Sequence, residues 1–157
     1  GLVVLLLASV IFGGSLTIVS VSLGILLIPP FARISRANTL NFAQREFVVA
    51  AKAMGARDFR IIVFEILPNV VLPVAAYALV LVALAIVIEG ALSFLGLSVP
   101  SPTPSWGGMI AEGRENLDDS PHVSFIPAIF MFLTVLSFNL VGDTLRSKLA
   151  DLRESAL

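Results

Sequence analysis

The chain has no cysteine, one histidine and little charge, and each shortage removes a class of function. Without cysteine there is no disulfide framework, no thiolate zinc site and no cysteine nucleophile. With His122 alone, no motif that needs two histidines is available. Charged residues make up 13% of the chain, against about 25% in a soluble domain. No basic run exceeds a few residues, so no nucleic-acid partner is expected.

Apolar residues, in contrast, make up 57% of the chain and are gathered in long runs. Runs at about 16–32, 68–88 and 123–142 are long enough to cross a bilayer as helices, which takes roughly 20 residues. The apolar stretch 1–12 is shorter, and we interpret it as half of a spanning helix in a fragment of a longer protein. The sequence therefore predicts an all-α fold, a polytopic transmembrane helix bundle.

Glycine and proline mark the ends of these runs. Gly13-Gly14-Ser15 predicts a turn that lets the chain reverse after its first apolar stretch. Pro29 and Pro30 are expected to break or kink the end of the second run, because each ring removes a backbone donor.

The basic residues predict how the chain lies across the membrane. Six basic and three acidic residues fall within 33–65, whereas one basic and five acidic residues fall within 89–122. The tail, 143–157, has three of each. Cytoplasmic segments carry the excess of Lys and Arg, so 33–67 and the tail are predicted to be cytoplasmic and the loop 90–122 external. The two cytoplasmic assignments agree, because an even number of crossings separates them.

The charged stretch between the second and third runs is the main candidate for function. Its pattern predicts a helix over 42–54, ended by Gly55 in the left-handed conformation. A second helix is expected to start near Asp58, whose acid suits a helix N-terminus. Pro68 then marks the entry into the next apolar span.

Two functions are open for this stretch on physical grounds. A basic amphipathic helix can lie on the membrane surface, or a short helix ended by a sharp turn can be gripped by a cytosolic partner. In the predicted first helix, Phe42, Val49 and Ala53 fall near one face. Ala50, Ala51 and Ala53 are small, so another backbone can approach closely.

Two residues outside this stretch are candidates for an external gate or loop. Glu89 is the acid at the border of an apolar span, and it either forms part of a gate or caps the helix end at the water interface. The stretch Pro100–Trp106 is rich in proline and is expected to be extended, with Trp106 as an interface anchor. A more specific interpretation of this stretch is a re-entrant segment that faces an external partner. Among the remaining candidates, Met54, Met109 and Met131 are interpreted as packing residues and His122 as an exposed loop residue.

Three separate blocks resemble ABC importer permeases, in the right order and joined by plausible spans. Ala50-Ala51, three residues, Gly55 and then Ile66-Leu67-Pro68 resemble the EAA loop of these proteins. The other blocks are similar to dipeptide and oligopeptide permeases: Glu89-Gly-Ala-Leu-Ser-Phe-Leu-Gly-Leu97 with Pro102-Thr-Pro-Ser-Trp-Gly107, and Asn139-Leu-Val-Gly-Asp-Thr-Leu-Arg146. The resemblance runs from the second span to the tail and fits the second membrane subunit best.

The resemblance implies a permease subunit for di- or oligopeptides in a bacterial or archaeal plasma membrane. It implies a second homologous permease subunit, two cytosolic ATPase subunits and an external solute-binding protein as partners. ATP and Mg are expected in the ATPase subunits and no cofactor, metal or catalytic residue in this chain, whose sequence has no Gly-rich phosphate loop. The resemblance adds cytoplasmic coupling helices to the predicted bundle. The residues implied to couple to the ATPases are Glu46, Ala50, Ala51, Gly55, Ala56, Asp58, Leu67 and Pro68.

The chain departs from the family pattern at one position and leaves several alternatives. Val49 stands where the glutamate of Glu-Ala-Ala is usual, and Glu46, one turn earlier, is a possible substitute. Nickel permeases share the same blocks, so import of a metal complex is the alternative within the resemblance. A channel or membrane assembly subunit is a further alternative. An intramembrane aspartyl protease built on Asp143 is the enzyme alternative, but such a site needs two carboxylates.

Overall fold

The computed structural model describes residues 2–12, 15–98 and 102–154. Within these ranges all regular secondary structure is helical, which confirms the predicted all-α fold. The elements are α1 (Leu2–Phe12), α2 (Leu16–Ala43), α3 (Glu46–Ala53), α4 (Asp58–Arg60), a π segment (Ile61–Ile66), α5 (Leu67–Phe94), α6 (Trp106–Gly113), a 3₁₀ turn (Arg114–Asn116) and α7 (His122–Glu154). The turn predicted at Gly13-Gly14 lies outside the described residues.

Three of the helical stretches are long and apolar enough to cross a membrane: Leu16–Ala43, Asp58–Phe94 and His122–Lys148. Each contains one of the predicted spans and continues beyond the apolar run into polar residues. At most 17% of the residues in the most apolar window of each helix are buried inside the chain itself. The bounds of the crossings, and the sides on which the connecting segments lie, stay predictions.

Helix α2 runs through Pro29 and Pro30, so of the predicted break or kink the break is wrong. Proline removes one backbone donor, but its fixed φ is that of a helix. The polar end of α2 is supported by a side chain, because Asn38 donates its amide N–H to the carbonyl oxygen of Ile34 at 2.9 Å. Helical geometry thus extends past the apolar run.

The helix predicted over 42–54 is divided by a turn at residues 44 and 45. The turn changes the phase between the two parts, so Phe42 and Val48 share a core while Val49 is 61% exposed. The predicted face of Phe42, Val49 and Ala53 is therefore wrong.

The segment predicted as a loop, 90–122, is partly helical. Helix α5 continues past Glu89 to Phe94, so Glu89 lies inside a helix and does not cap its end. Helix α6 starts at Trp106, after Ser105, whose hydroxyl oxygen accepts the N–H of Gly108 at 3.1 Å. His122 is the first residue of α7 and is exposed, as expected, but it is not in a loop.

The described residues form two compact units. The first consists of the residues up to Leu27 together with Leu81–Asn139. Its core contains side chains from α2 and α5: Val19, Leu23 and Leu92, with Leu26, Ile88 and Leu97 packed against them. Helix α6 packs on α5 where Gly107 meets Gly90, and its far end reaches α7, where Ser124 Oγ donates to the carbonyl oxygen of Ile110 at 3.1 Å.

The second unit consists of Ile28–Val80 together with the described residues from Leu140 onwards. Within it α7 packs on α5: a Cβ added to Gly142 would lie 3.2 Å from the carbonyl oxygen of Ala76. One turn further, the guanidinium carbon of Arg146 lies 5.6 Å from the centroid of the Tyr77 ring, a cation–π contact.

Candidate functional site

Gly55 ends α3 in the left-handed conformation that the sequence predicts, with φ +80°. The N–H of Ala56 donates to the carbonyl oxygen of Ala51 at 3.1 Å, and the N–H of Gly55 donates to that of Lys52 at 2.9 Å. This pair of bonds defines a Schellman motif. A Cβ at position 55 would meet no atom within 4 Å, so the backbone conformation alone selects glycine. The chain then enters α4 at Asp58, as predicted.

This turn has a small hydrophobic core of its own. Its buried side chains come from the end of α2, α3, the π segment and α5: Phe42, Val48, Ala51, Ile61, Ile66 and Val70. In an α-helix, residues five apart point about 140° away from each other. The π segment instead brings Ile61 and Ile66 into one core, and the N–H of Leu67 donates to the carbonyl oxygen of Ile62, five residues earlier. Helix α3 and the helix that starts at Asp58 and continues through the π segment therefore form a packed helix pair with a fixed turn.

The eight predicted coupling residues all lie in the second unit and divide by exposure. The exposed ones are Glu46, Ala50, Gly55, Asp58, Leu67 and Pro68. Ala51 is buried and Ala56 half-buried, and both pack in the small core. The small size of Ala51 thus allows the segment's own packing, whereas Ala50 faces outwards.

Large apolar side chains in the same segment are exposed as well. Met54 is 82% and Phe59 76% exposed, and Phe64 and Val49 are also exposed. The prediction that Met54 is a packing residue is therefore wrong within this chain. Several exposed large apolar side chains in one short segment indicate a surface that another molecule or a membrane covers.

Glu89 and Trp106, the predicted gate or loop residues, come together in the first unit. They line an open cleft of about 430 Å³, together with Leu16, Thr103, Pro104, Ser105 and Met109. The Glu89 side chain is half-buried, and Oε1 accepts a hydrogen bond from Ser98 Oγ at 3.2 Å. Trp106 starts α6 and is 37% exposed. Residues 103–106 and Glu89 on α5 thus line one site.

Several residues that hold the cleft were not predicted as site residues. Gly96 ends α5 with φ +73° in the same pair of bonds as Gly55, and it leads to Ser98. Ser105 caps α6, and its hydroxyl oxygen lies 2.6 Å from that of Ser93. Both caps have a signal in the sequence: glycine after an apolar helix indicates its C-terminal end, and serine before a helix indicates its N-terminal start. Gly107 has no such signal, because its role depends on contact with Gly90 on another helix.

The chain is an α-helical multi-pass membrane subunit. This class is defined by its long apolar helices and packed helix pair, which contain the three sequence blocks of the resemblance. The model of the family described as "Binding-protein-dependent transport system inner membrane component" matches residues 1–151. The chain belongs to this family, which confirms the resemblance to ABC importer permeases.

Curated relatives agree with this assignment. The chain is 38% identical over 149 residues to the protein named "Glutathione transport system permease protein GsiD" in Escherichia coli O1:K1 / APEC, with 95% of this chain and 49% of that protein covered. The protein of the same name in Salmonella typhimurium (strain LT2) is 39% identical over 149 residues with the same coverage. The chain thus spans about half the length of the curated relatives it matches.

Proposed function

We propose that this chain forms part of the translocation pathway of an ATP-driven importer and couples it to cytosolic ATPase subunits. The observation that carries this proposal is the packed helix pair formed by α3 and the helix that starts at Asp58 and continues through the π segment. It presents Ala50, Gly55 and Asp58 on an exposed surface, at the positions of the EAA-loop block. The family match over 1–151 supports the same role.

The contacts suggest how force passes from the ATPases into the membrane. The core of the helix pair ties α3 to the π segment and to Val70 in the first turns of α5. Helical structure then continues without a break from Asp58 to Phe94, through Leu67 and Pro68. When ATP closes the ATPase pair, the gripped helix moves, and the packed core carries its motion into the helix. The bundle alternates between an inward-facing and an outward-facing state.

The expected partners follow from this mechanism. They are a second homologous permease subunit, two ATPase subunits that bind ATP and Mg, and an external solute-binding protein, in the plasma membrane of a bacterium or archaeon. The exposed apolar faces of the long helices support contact with lipid and with a second membrane subunit. The substrate proposed is a short peptide, which the printed name of the glutathione permease relatives supports.

Gly55 allows a sharp test, because Gly96 is its matched control. Both residues have positive φ in a Schellman motif and neither has an atom within 4 Å of an added Cβ, so valine imposes the same backbone strain at each. The full assembly is reconstituted in proteoliposomes. Gly55→Val is expected to insert in the membrane, to lose copurifying ATPase subunits and to uncouple ATP hydrolysis from peptide uptake. Gly96→Val is expected to retain the ATPase subunits.

Two results contradict the proposal. If Gly55→Val transports normally, the docking role is wrong. If the unmodified protein takes up peptide without any ATPase subunit, the importer assignment is wrong, and a channel fits better.

A further inference from the structure

The cleft beside Glu89 has a chemical character that no part of the coupling mechanism explains. Among the described residues that line it, Glu89 is the one ionisable side chain, and the others are apolar, aromatic or neutral polar. In the described part of the chain, no Lys, Arg or His forms an ion pair with this carboxylate. The cleft therefore offers an acidic group that no described basic residue pairs with.

Ser98 orients this carboxylate and leaves most of its hydrogen-bond acceptor positions available. Ser98 is buried, at 2% exposure, and its hydroxyl donates to Oε1 of Glu89 at 3.2 Å. An ionised carboxylate has about four acceptor positions on its two oxygens, so most stay available to a ligand. Gly96 places Ser98 there by ending α5 two residues earlier.

Two other residues of the lining suit a positively charged group. Trp106 and Met109 are three residues apart on α6, line the cleft together and are both partly exposed. The face of an indole ring attracts ammonium groups, and a thioether is polarisable and adapts to varied shapes. A cleft lined by one carboxylate, an indole and a thioether fits an organic ammonium group better than a divalent metal ion, which takes several oxygen ligands.

We propose that this cleft binds the α-ammonium group of a peptide through the Glu89 carboxylate and the Trp106 ring that line it. The inference rests on the proposed import of peptides and adds a site of recognition within the permease itself. A volume of about 430 Å³ is at the small end of ligand clefts. It suits the amino-terminal end of a peptide, with the remainder of the peptide outside the cleft.

A binding experiment tests the site without ATP or ATPase subunits. The purified chain, with Trp106 as its sole tryptophan, is titrated with glycyl-leucine amide and with its N-acetyl derivative while Trp106 emission is followed. The free amine is expected to bind roughly tenfold tighter than the acetylated form. In Glu89→Gln the preference should disappear, and both peptides should bind equally weakly. The glutamine keeps the size of the side chain and still accepts the bond from Ser98.

Glu112→Gln is the control, since it removes an exposed acid from α6 that does not line the cleft. It is expected to keep the preference for the free amine. Equal binding of the two peptides by the unmodified chain, or an undiminished preference in Glu89→Gln, would overturn the inference. A loss of the preference in Glu112→Gln would also overturn it, because general surface charge would then be the cause.

The proposed function is tested separately, by measuring ATP-dependent peptide uptake by the reconstituted assembly. Uptake with no preference for a free amine in the emission titration keeps the importer and rejects the site. A clear preference with no ATP-dependent uptake keeps the ammonium site and rejects the importer.

Discussion

Gly107 is the residue through which α6 comes closest to α5, and an added methyl group there has no space. A Cβ at position 107 would overlap the carbonyl oxygen of Gly90 and would lie 2.7 Å from Cβ of Ser93. At the next residue, Gly108, an added Cβ would meet only Ser105 Oγ, at 3.1 Å. Gly107→Ala and Gly108→Ala are therefore a matched pair in one helix, and they differ in the contact with α5.

The difference between the two variants follows from three contributions. Alanine favours the helix over glycine by about 1 kcal/mol at either position, so this gain cancels. Forcing a methyl group into packed backbone costs about 1–3 kcal/mol, because the Gly90 backbone sits in a helix and cannot turn aside. Moving α6 outwards would also break the contact between the hydroxyls of Ser93 and Ser105, 2.6 Å apart, which contributes about 1 kcal/mol. Gly107→Ala should thus be about 2–4 kcal/mol less stable than Gly108→Ala.

Trp106, the only tryptophan of the 157 residues, is adjacent to the substitution and reports the packing of α6. Its emission is followed during chemical unfolding of the purified variants in detergent. A second measurement uses the absence of cysteine: cysteines placed at Ser93 and Ser105 should form a disulfide on oxidation, detected by protection from maleimide. Gly107→Ala should slow this cross-link and Gly108→Ala should not. If the two variants unfold at the same denaturant concentration and cross-link equally fast, the close packing of α6 on α5 is refuted.

Two further predictions concern the core of the helix pair. Val48 is 1% exposed and Val49 61%, so Val48→Ala should cost about 2–3 kcal/mol of unfolding free energy and Val49→Ala less than about 0.5. Equal losses in chemical denaturation would contradict the assignment of the buried face. Deletion of Ile62 should change the unfolding free energy by less than about 1 kcal/mol, because a regular α-helix then keeps Ile61 and Ile66 on one side, four residues apart. A loss above about 3 kcal/mol would show that the core needs the π geometry.

Local chemistry explains which features could be predicted from the sequence. The positive φ of Gly55 follows from a glycine after a run of helix formers, and the start of α4 follows from the acid at position 58. The long helices follow from apolar composition and length, which need no knowledge of neighbours. The family follows from motif blocks distributed along the chain.

The features that were missed depend on contacts or on small energy differences. The turn at residues 44 and 45 interrupts a pattern that is helical on both sides, and burial of Phe42 with Val48 favours it. Helix α6 was not predicted, because the prolines that precede it favoured an extended segment. Ser105 could have indicated its start, since serine is a common N-cap residue. The approach of Gly107 to Gly90 exists only because two helices meet, so no local pattern indicates it.

The π segment has a consequence for any comparison of helix faces among related chains. It contains one residue more than an α-helix needs between Ile61 and Ile66, so it shifts the helical phase by about 100°. A single helical wheel drawn from Asp58 to Phe94 therefore puts the residues before the segment on the wrong side. Two wheels are needed, one on each side of the segment. A relative with one residue fewer in this segment is expected to keep the same buried core. In that relative a single helical wheel would describe the residues on both sides of the segment.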